Sequence, residues 1–101
     1  MASRLSLQTL LEEILGSRNV YYQPPPSVQI NYDAIIYSRK AIENTYANNA
    51  VYKQHNAYEI IVIYRNPDSD LPVKISQLPM CSFDRNYTAD NLNHDVFTLY
   101  Y

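Results

Sequence analysis

Ala57-Tyr58-Glu59-Ile60-Ile61-Val62-Ile63-Tyr64-Arg65 sets Tyr58, Ile60, Val62 and Tyr64 on one period-2 face and Ile61 and Ile63 on the other. A strand is apolar on both faces where both are covered, which is the condition in the middle of a sheet. The segment therefore predicts a central strand. Upstream, Ile30, Tyr32, Ala34 and Ile36 alternate and predict a second strand over 30–37. Downstream, Asn66-Pro67-Asp68-Ser69-Asp70 reads as a turn, with Ser69 or Asp70 as an N-cap. Leu71, Ile75 and Leu78 then make a two-turn helix, with Pro72 in its first turn and Pro79 past its end.

The two ends of the chain complete the pattern. Leu7, Leu10, Leu11 and Ile14 fall at i, i+3, i+4 and i+7, one face of a helix that Gly16 can close. The stretch Tyr21-Tyr22-Gln23-Pro24-Pro25-Pro26 must run extended, because prolines block helix and lack a donor. It reads as a stiff connector, in preference to a ligand for a proline-binding domain. Near the other end, Phe97, Leu99 and Tyr101 alternate with Val96, Thr98 and Tyr100, a closing strand expected to be structural to its last residue. The order is α-β-β-α-β-β. Two apolar-faced helices can cover one face of a mainly antiparallel four-stranded sheet, so the expected class is α+β. The 101 residues form one domain, with a protruding loop or hairpin at about 39–54, where no core-facing period exists.

Composition narrows the function. The formal net charge is −2, which argues against a grip on nucleic acid through phosphate neutralisation. The single cysteine, Cys81, excludes an intramolecular disulfide framework and reads as a small buried hydrophobe. No apolar run reaches the roughly 20 residues of a membrane helix, and Glu12 and Glu13 interrupt the leucine-rich start, which does not read as a secretion signal. The expectation is synthesis in the cytoplasm and no membrane partner. Eleven tyrosines suit strands and also interfaces, where a rigid ring with a polar tip is favoured. With one glycine in the chain, turns that need positive φ fall to asparagine, as at Asn48-Asn49, Asn91 and Asn93.

No arrangement of residues reads as an active site, and none calls for a cofactor. His94 beside Asp90 and Asp95 could be drawn as a base with an orienting carboxylate, and Asp84, Asp90, His94 and Asp95 as metal ligands. No nucleophile motif, paired cysteines, phosphate loop or zinc spacing accompanies them. The preferred reading is that the polar stretch Arg85 to Asp95 ties down a turn or an interface. Arg85, Asp90, Asn91 and His94 would then form one hydrogen-bonded unit.

The runs Cys81-Ser82-Phe83-Asp84-Arg85, Tyr87-Thr88-Ala89-Asp90-Asn91-Leu92-Asn93-His94 and Val96-Phe97-Thr98-Leu99-Tyr100-Tyr101 resemble the C-terminal part of tail-terminator (tail completion) and neck proteins of tailed bacteriophages. Ile63 to Ser69 with Leu71-Pro72, and Leu7 to Gly16 with Tyr21 to Pro25, are similar to earlier segments of that family. The resemblance implies a structural virion protein and no enzyme. It implies a homo-hexameric ring at the head-proximal end of the tail, which ends tube elongation and joins tail to head connector. The implied partners are further copies of the chain, the tail tube protein and the connector (stopper) protein, with DNA passing through unread. The expected contact residues are Tyr46, Asn48, Asn49 and Tyr52 in the protruding segment, and Arg85, Tyr87, Asp90, Asn91, Asn93 and His94 toward the end. Two alternatives stand beside this reading: another neck component (stopper or adaptor), and a small protein-binding module acting by strand addition.

Overall fold

The computed structural model describes residues 4–47 and 50–101, with backbone alone for 43–47 and 50–55. Helix α1 (Arg4–Leu15) leads into a short strand β1 (Val20–Tyr22). Two long strands follow, β2 (Ala34–Ala47) and β3 (Ala50–Tyr64), then helix α2 (Leu71–Ser76) and the closing hairpin β4 (Cys81–Ala89) and β5 (Leu92–Tyr100). The class is α+β as expected, but the sheet has five strands in the order β1-β2-β3-β5-β4 and is mixed. β1 pairs with β2 in parallel and every other pairing is antiparallel. The four-stranded antiparallel expectation missed β1 because three residues are too few to show a period. Its Val20-Tyr21-Tyr22 run borders the proline stretch and reads as connector. The strand expected from Ile30 begins instead at Ala34.

β3 is the middle strand of the five, as its two apolar faces require. Register defines the two faces of the sheet. On one, the rows Ile35–Val62–Asp95–Asn86, Tyr37–Ile60–Phe97–Phe83 and Arg39–Tyr58–Leu99–Cys81 run across β2, β3, β5 and β4. Leu7 and Leu11 of α1 and Leu71 and Ile75 of α2 join Ile35, Tyr37, Tyr58, Ile60, Val62, Phe97 and Leu99 in one buried cluster on this face. Burial of such side chains contributes roughly 1.5–3 kcal/mol each before the entropy of ordering them is counted. Gln8 fixes α1 to the sheet, donating from Nε2 to the Val20 carbonyl at 3.0 Å. Gly16 ends α1 with φ +80° and donates to the Glu12 carbonyl at 2.9 Å.

The other face carries no helix among the described residues. Its rows are Ala34–Ile63–His94–Tyr87, Ile36–Ile61–Val96–Arg85 and Ser38–Glu59–Thr98–Ser82. Ala34, Ala57, Ile63 and Val96 are buried here, outside the helix-side cluster. β2 and β3 also run past the sheet. β5 pairs with β3 only from Ala57 onward, while β2 and β3 stay paired out to Ala47 and Ala50. Residues 41–47 and 50–56 therefore form a two-stranded ribbon, and the longest dimension of the molecule is 51 Å. None of the described helices is long and apolar enough to cross a membrane.

Candidate assembly surface

β4 is an edge strand, with β5 on one side and, among the described residues, no strand on the other. From Ser82 to Ala89 every residue is exposed, including Phe83 and Tyr87. An edge of this kind presents a row of unpaired backbone donors and acceptors. The β4–β5 turn is tight: Ala89 pairs with Leu92, so only Asp90 and Asn91 lie between the strands, with φ +54° and +61°. Two successive left-handed residues make a type I′ turn, whose twist matches that of the flanking strands. Asn91 is the positive-φ residue that the scarcity of glycine calls for, whereas Asn93 lies within β5.

The polar stretch Arg85 to Asp95 is thus mostly strand, with a two-residue turn at its centre. No hydrogen bond joins Arg85, Asp90, Asn91 and His94 into a unit among the described residues: Arg85 and His94 lie in the strands, and Asp90 and Asn91 in the turn that joins them. Asp90 and Asn91 are exposed at the turn. Arg85, Tyr87 and His94 meet on the helix-free face, where the Tyr87 and His94 rings stack at 4.6 Å and 12°. The Arg85 guanidinium carbon sits 5.9 Å from the Tyr87 ring centroid. Asn93 Nδ2 reaches the Tyr64 carbonyl at 3.5 Å. Tyr46 and Tyr52 belong to β2 and β3 in the ribbon, their side chains outside the description, and Asn48 and Asn49 lie outside the described residues.

The hydrogen-bonded centre of the hairpin is Asp95, on the helix side. Its carboxylate is buried and accepts from Tyr64 Oη at 3.1 Å and from the Asn86 side-chain amide. Burial, then the negative charge of Asp95 and the hydrogen bond to it, push the Tyr64 hydroxyl pKa up. Asp95 shares its phase with Phe97 and Leu99, and that alternation is the sequence signal that marks it as inward-facing. On the opposite face Thr98 Oγ1 donates to Asp84 Oδ2 at 2.7 Å and lies 3.3 Å from Lys40 Nζ. A shift of register between Phe83 and Arg85 sets the Asp84–Arg85 pair opposite Val96, a bulge that brings Asp84 to Thr98. Nothing in the sequence spacing links Lys40 to Thr98. Asp95 and His94 point to opposite faces, and no group of three metal-binding side chains converges among the described residues.

An apolar cleft of about 260 Å³ opens at the end of the sheet where the ribbon leaves it. Leu10, Leu78, Pro79, Met80, Leu99, Tyr100 and Tyr101 line it. Met80 stands 62% exposed at its rim, which leaves a hydrophobic margin beside the β4 edge. Burial pushes the pKa of the free Cys81 thiol up, and Asp84 adds to the shift, so this cysteine is held in its thiol form against the core.

Comparison with protein-family models, with curated proteins and with solved structures returned no match for this chain.

Proposed function

We propose that this protein is a self-assembling structural subunit of a phage neck or tail end. It would form a hexameric ring at the head-proximal end of the tail, stop elongation of the tube and offer a face to the head connector. The observation that carries this reading is β4, a nine-residue edge strand exposed along nearly its whole length, on the side of the sheet away from β2. A ring needs two different surfaces that meet head to tail. Here one is the β4 edge with its Tyr87–His94–Arg85 group, and the other is the β2–β3 ribbon. The resemblance of the closing hairpin to tail-terminator and neck proteins supplies the place in the virion; DNA would pass through the ring unread. The virion partners would be the tail tube protein and the connector protein.

The test is localisation together with particle shape. Antibody labelling of virions should mark the junction of head and tail, and negative-stain images of the purified protein should show closed rings. Absence of the protein from virions overturns the proposal. The open β4 edge also suits a second reading, a monomeric module that binds an extended peptide by strand addition. Static light scattering at several concentrations separates the two, because the module stays monomeric and the ring subunit does not.

A further inference from the structure

Among the described residues the sheet is open along β4 and along β2 past its contact with β1, and both edges carry the same defect. In β2, Arg39 pairs with Tyr58 and Ala41 with Ala57, which leaves Lys40 without a cross-strand partner. In β4, Phe83 pairs with Phe97 and Arg85 with Val96, which leaves Asp84 without one. Each extra residue makes a bulge and shifts the phase of the outward backbone groups. On β2, the Asn19 carbonyl, the Gln23 amide and the Gln23 side chain bond the backbone of Ile35, Tyr37 and Arg39 from the outer side. Past the bulge the alternation resumes at Ile42 and Asn44, so the outward groups run 35, 37, 39 and then 42, 44. On β4, the Tyr100 amide donates to the Met80 carbonyl, so Cys81 and Phe83 face outward. Ala89 and Leu92 flank the two-residue turn and bond each other, so Asn86 and Thr88 face outward. The outward groups there run 81, 83 and then 86, 88.

We propose that the two bulges guard the edges of the sheet. A strand of another chain, whose bonding groups recur at every second residue, can follow either edge up to the bulge and no further. Where copies meet in the ring proposed above, they then do so through side chains and not through a sheet continued from subunit to subunit; that much rests on the ring reading, and the guard stands without it. Strand addition by a peptide is likewise confined to one half of β4. Three observations carry the inference. First, position: the extra residues lie on the open strands, whereas the interior pair β3 and β5 runs in unbroken register from Ala57–Tyr100 to Tyr64–Asn93. Second, charge: Lys40 and Asp84 are both exposed and charged, and charged side chains and bulges are the two devices that blunt an edge. Third, restraint: Lys40 Nζ lies 3.3 Å and Asp84 Oδ2 2.7 Å from the same Thr98 hydroxyl, which is buried on the helix-free face. The bulges of opposite edges are thus tied across the sheet to one side chain, through residues of opposite charge.

Removing the extra residue tests this. Deletion of Asp84 leaves Phe83 opposite Phe97 and Arg85 opposite Val96, so the outward groups of β4 alternate without a break; deletion of Lys40 does the same on β2. Asp84→Asn and Lys40→Gln keep the extra residue and serve as matched controls. Each deletion variant should self-associate at least about tenfold more tightly than its control, the gain from one or two further backbone hydrogen bonds. Light scattering reads the association, and the infrared band of intermolecular sheet should rise with it. Deletion variants that melt cooperatively and associate no more than their controls overturn the guard. Amide exchange of the wild-type protein is the second measurement, and it decides where a deletion variant fails to fold. The amides of Cys81, Phe83, Asn86 and Thr88 should stay fast at every concentration, with or without rings. Slowing of all four together as the protein associates overturns the proposal, because it shows a strand lying along the whole edge. A wild-type protein that is monomeric throughout overturns the ring reading alone, and the deletion comparison still decides the guard.

Discussion

Tyr87 of β4 and His94 of β5 are a directly opposed cross-strand pair whose rings stack 4.6 Å apart on the helix-free face of the sheet. The pair ties the outermost of the described strands to β5 on the face that carries no described helix. Tyr87 remains 38% exposed, so the stack also shows an aromatic surface toward the open edge. The pair holds the edge strand in register beside the turn.

Tyr87→Ala should lower stability by about 0.5–1.5 kcal/mol, the range for an aromatic pair beyond its buried area. Denaturant unfolding measures this. His94→Ala should cost a similar amount, and the double variant should cost less than the sum, because both remove one contact.

The turn depends on two residues that accept left-handed backbone. Asn91 at φ +61° tolerates that conformation, and a β-branched residue does not. Asn91→Val should destabilise the hairpin by about 1–2 kcal/mol, whereas Asn91→Gly should leave stability equal or higher. Thermal melts of the two variants beside the wild type decide it; a valine variant that melts like the glycine one contradicts the turn geometry.

Asp95 is the polar group on which the hairpin's inner face depends. Asn86→Ala removes one of its two partners and should cost about 1–3 kcal/mol, the range for a buried group left short of a hydrogen bond. Glu13→Ala, on the exposed side of α1, should stay within about 0.5 kcal/mol of wild type. Chemical denaturation of both checks the contrast.

Tyr64 gives a pH signature. Its pKa is raised in the folded protein, so the unfolded chain ionises first as pH rises past its ordinary value of 10.0. The stability that Tyr64 contributes is present in full below that value and is lost as pH rises through the folded pKa. The stability advantage of wild type over Tyr64→Phe should therefore shrink as pH is raised above 10, and stay constant between pH 7 and 9. Urea midpoints across this range measure the slope.

Much of the fold was legible because burial writes a period into the chain. The two-sided apolar pattern of Ala57–Arg65 marks the central strand, and the Leu7, Leu11, Leu71 and Ile75 spacing marks helix faces that enter one core. β1 was not legible: a three-residue parallel strand is held by what lies beside it, here Ile35–Tyr37 and the Gln8 side chain of α1. The hairpin shows the same division. Its strands and its need for positive φ can be read from composition. Which polar side chains face inward turns on the phase of the strand, and that phase places Asp95 inside and Asp90 at the turn. Lys40, Thr98 and Asp84 meet through register alone, across 58 residues of chain.

The most direct measurement is the mass of the purified wild-type protein by light scattering as a function of concentration, read beside negative-stain images of the same sample. Assembly through the β4 edge and the ribbon predicts a discrete closed species, six times the mass of one chain, with a ring outline. A single-chain mass at every concentration, with no ring in the images or in virions, would contradict it.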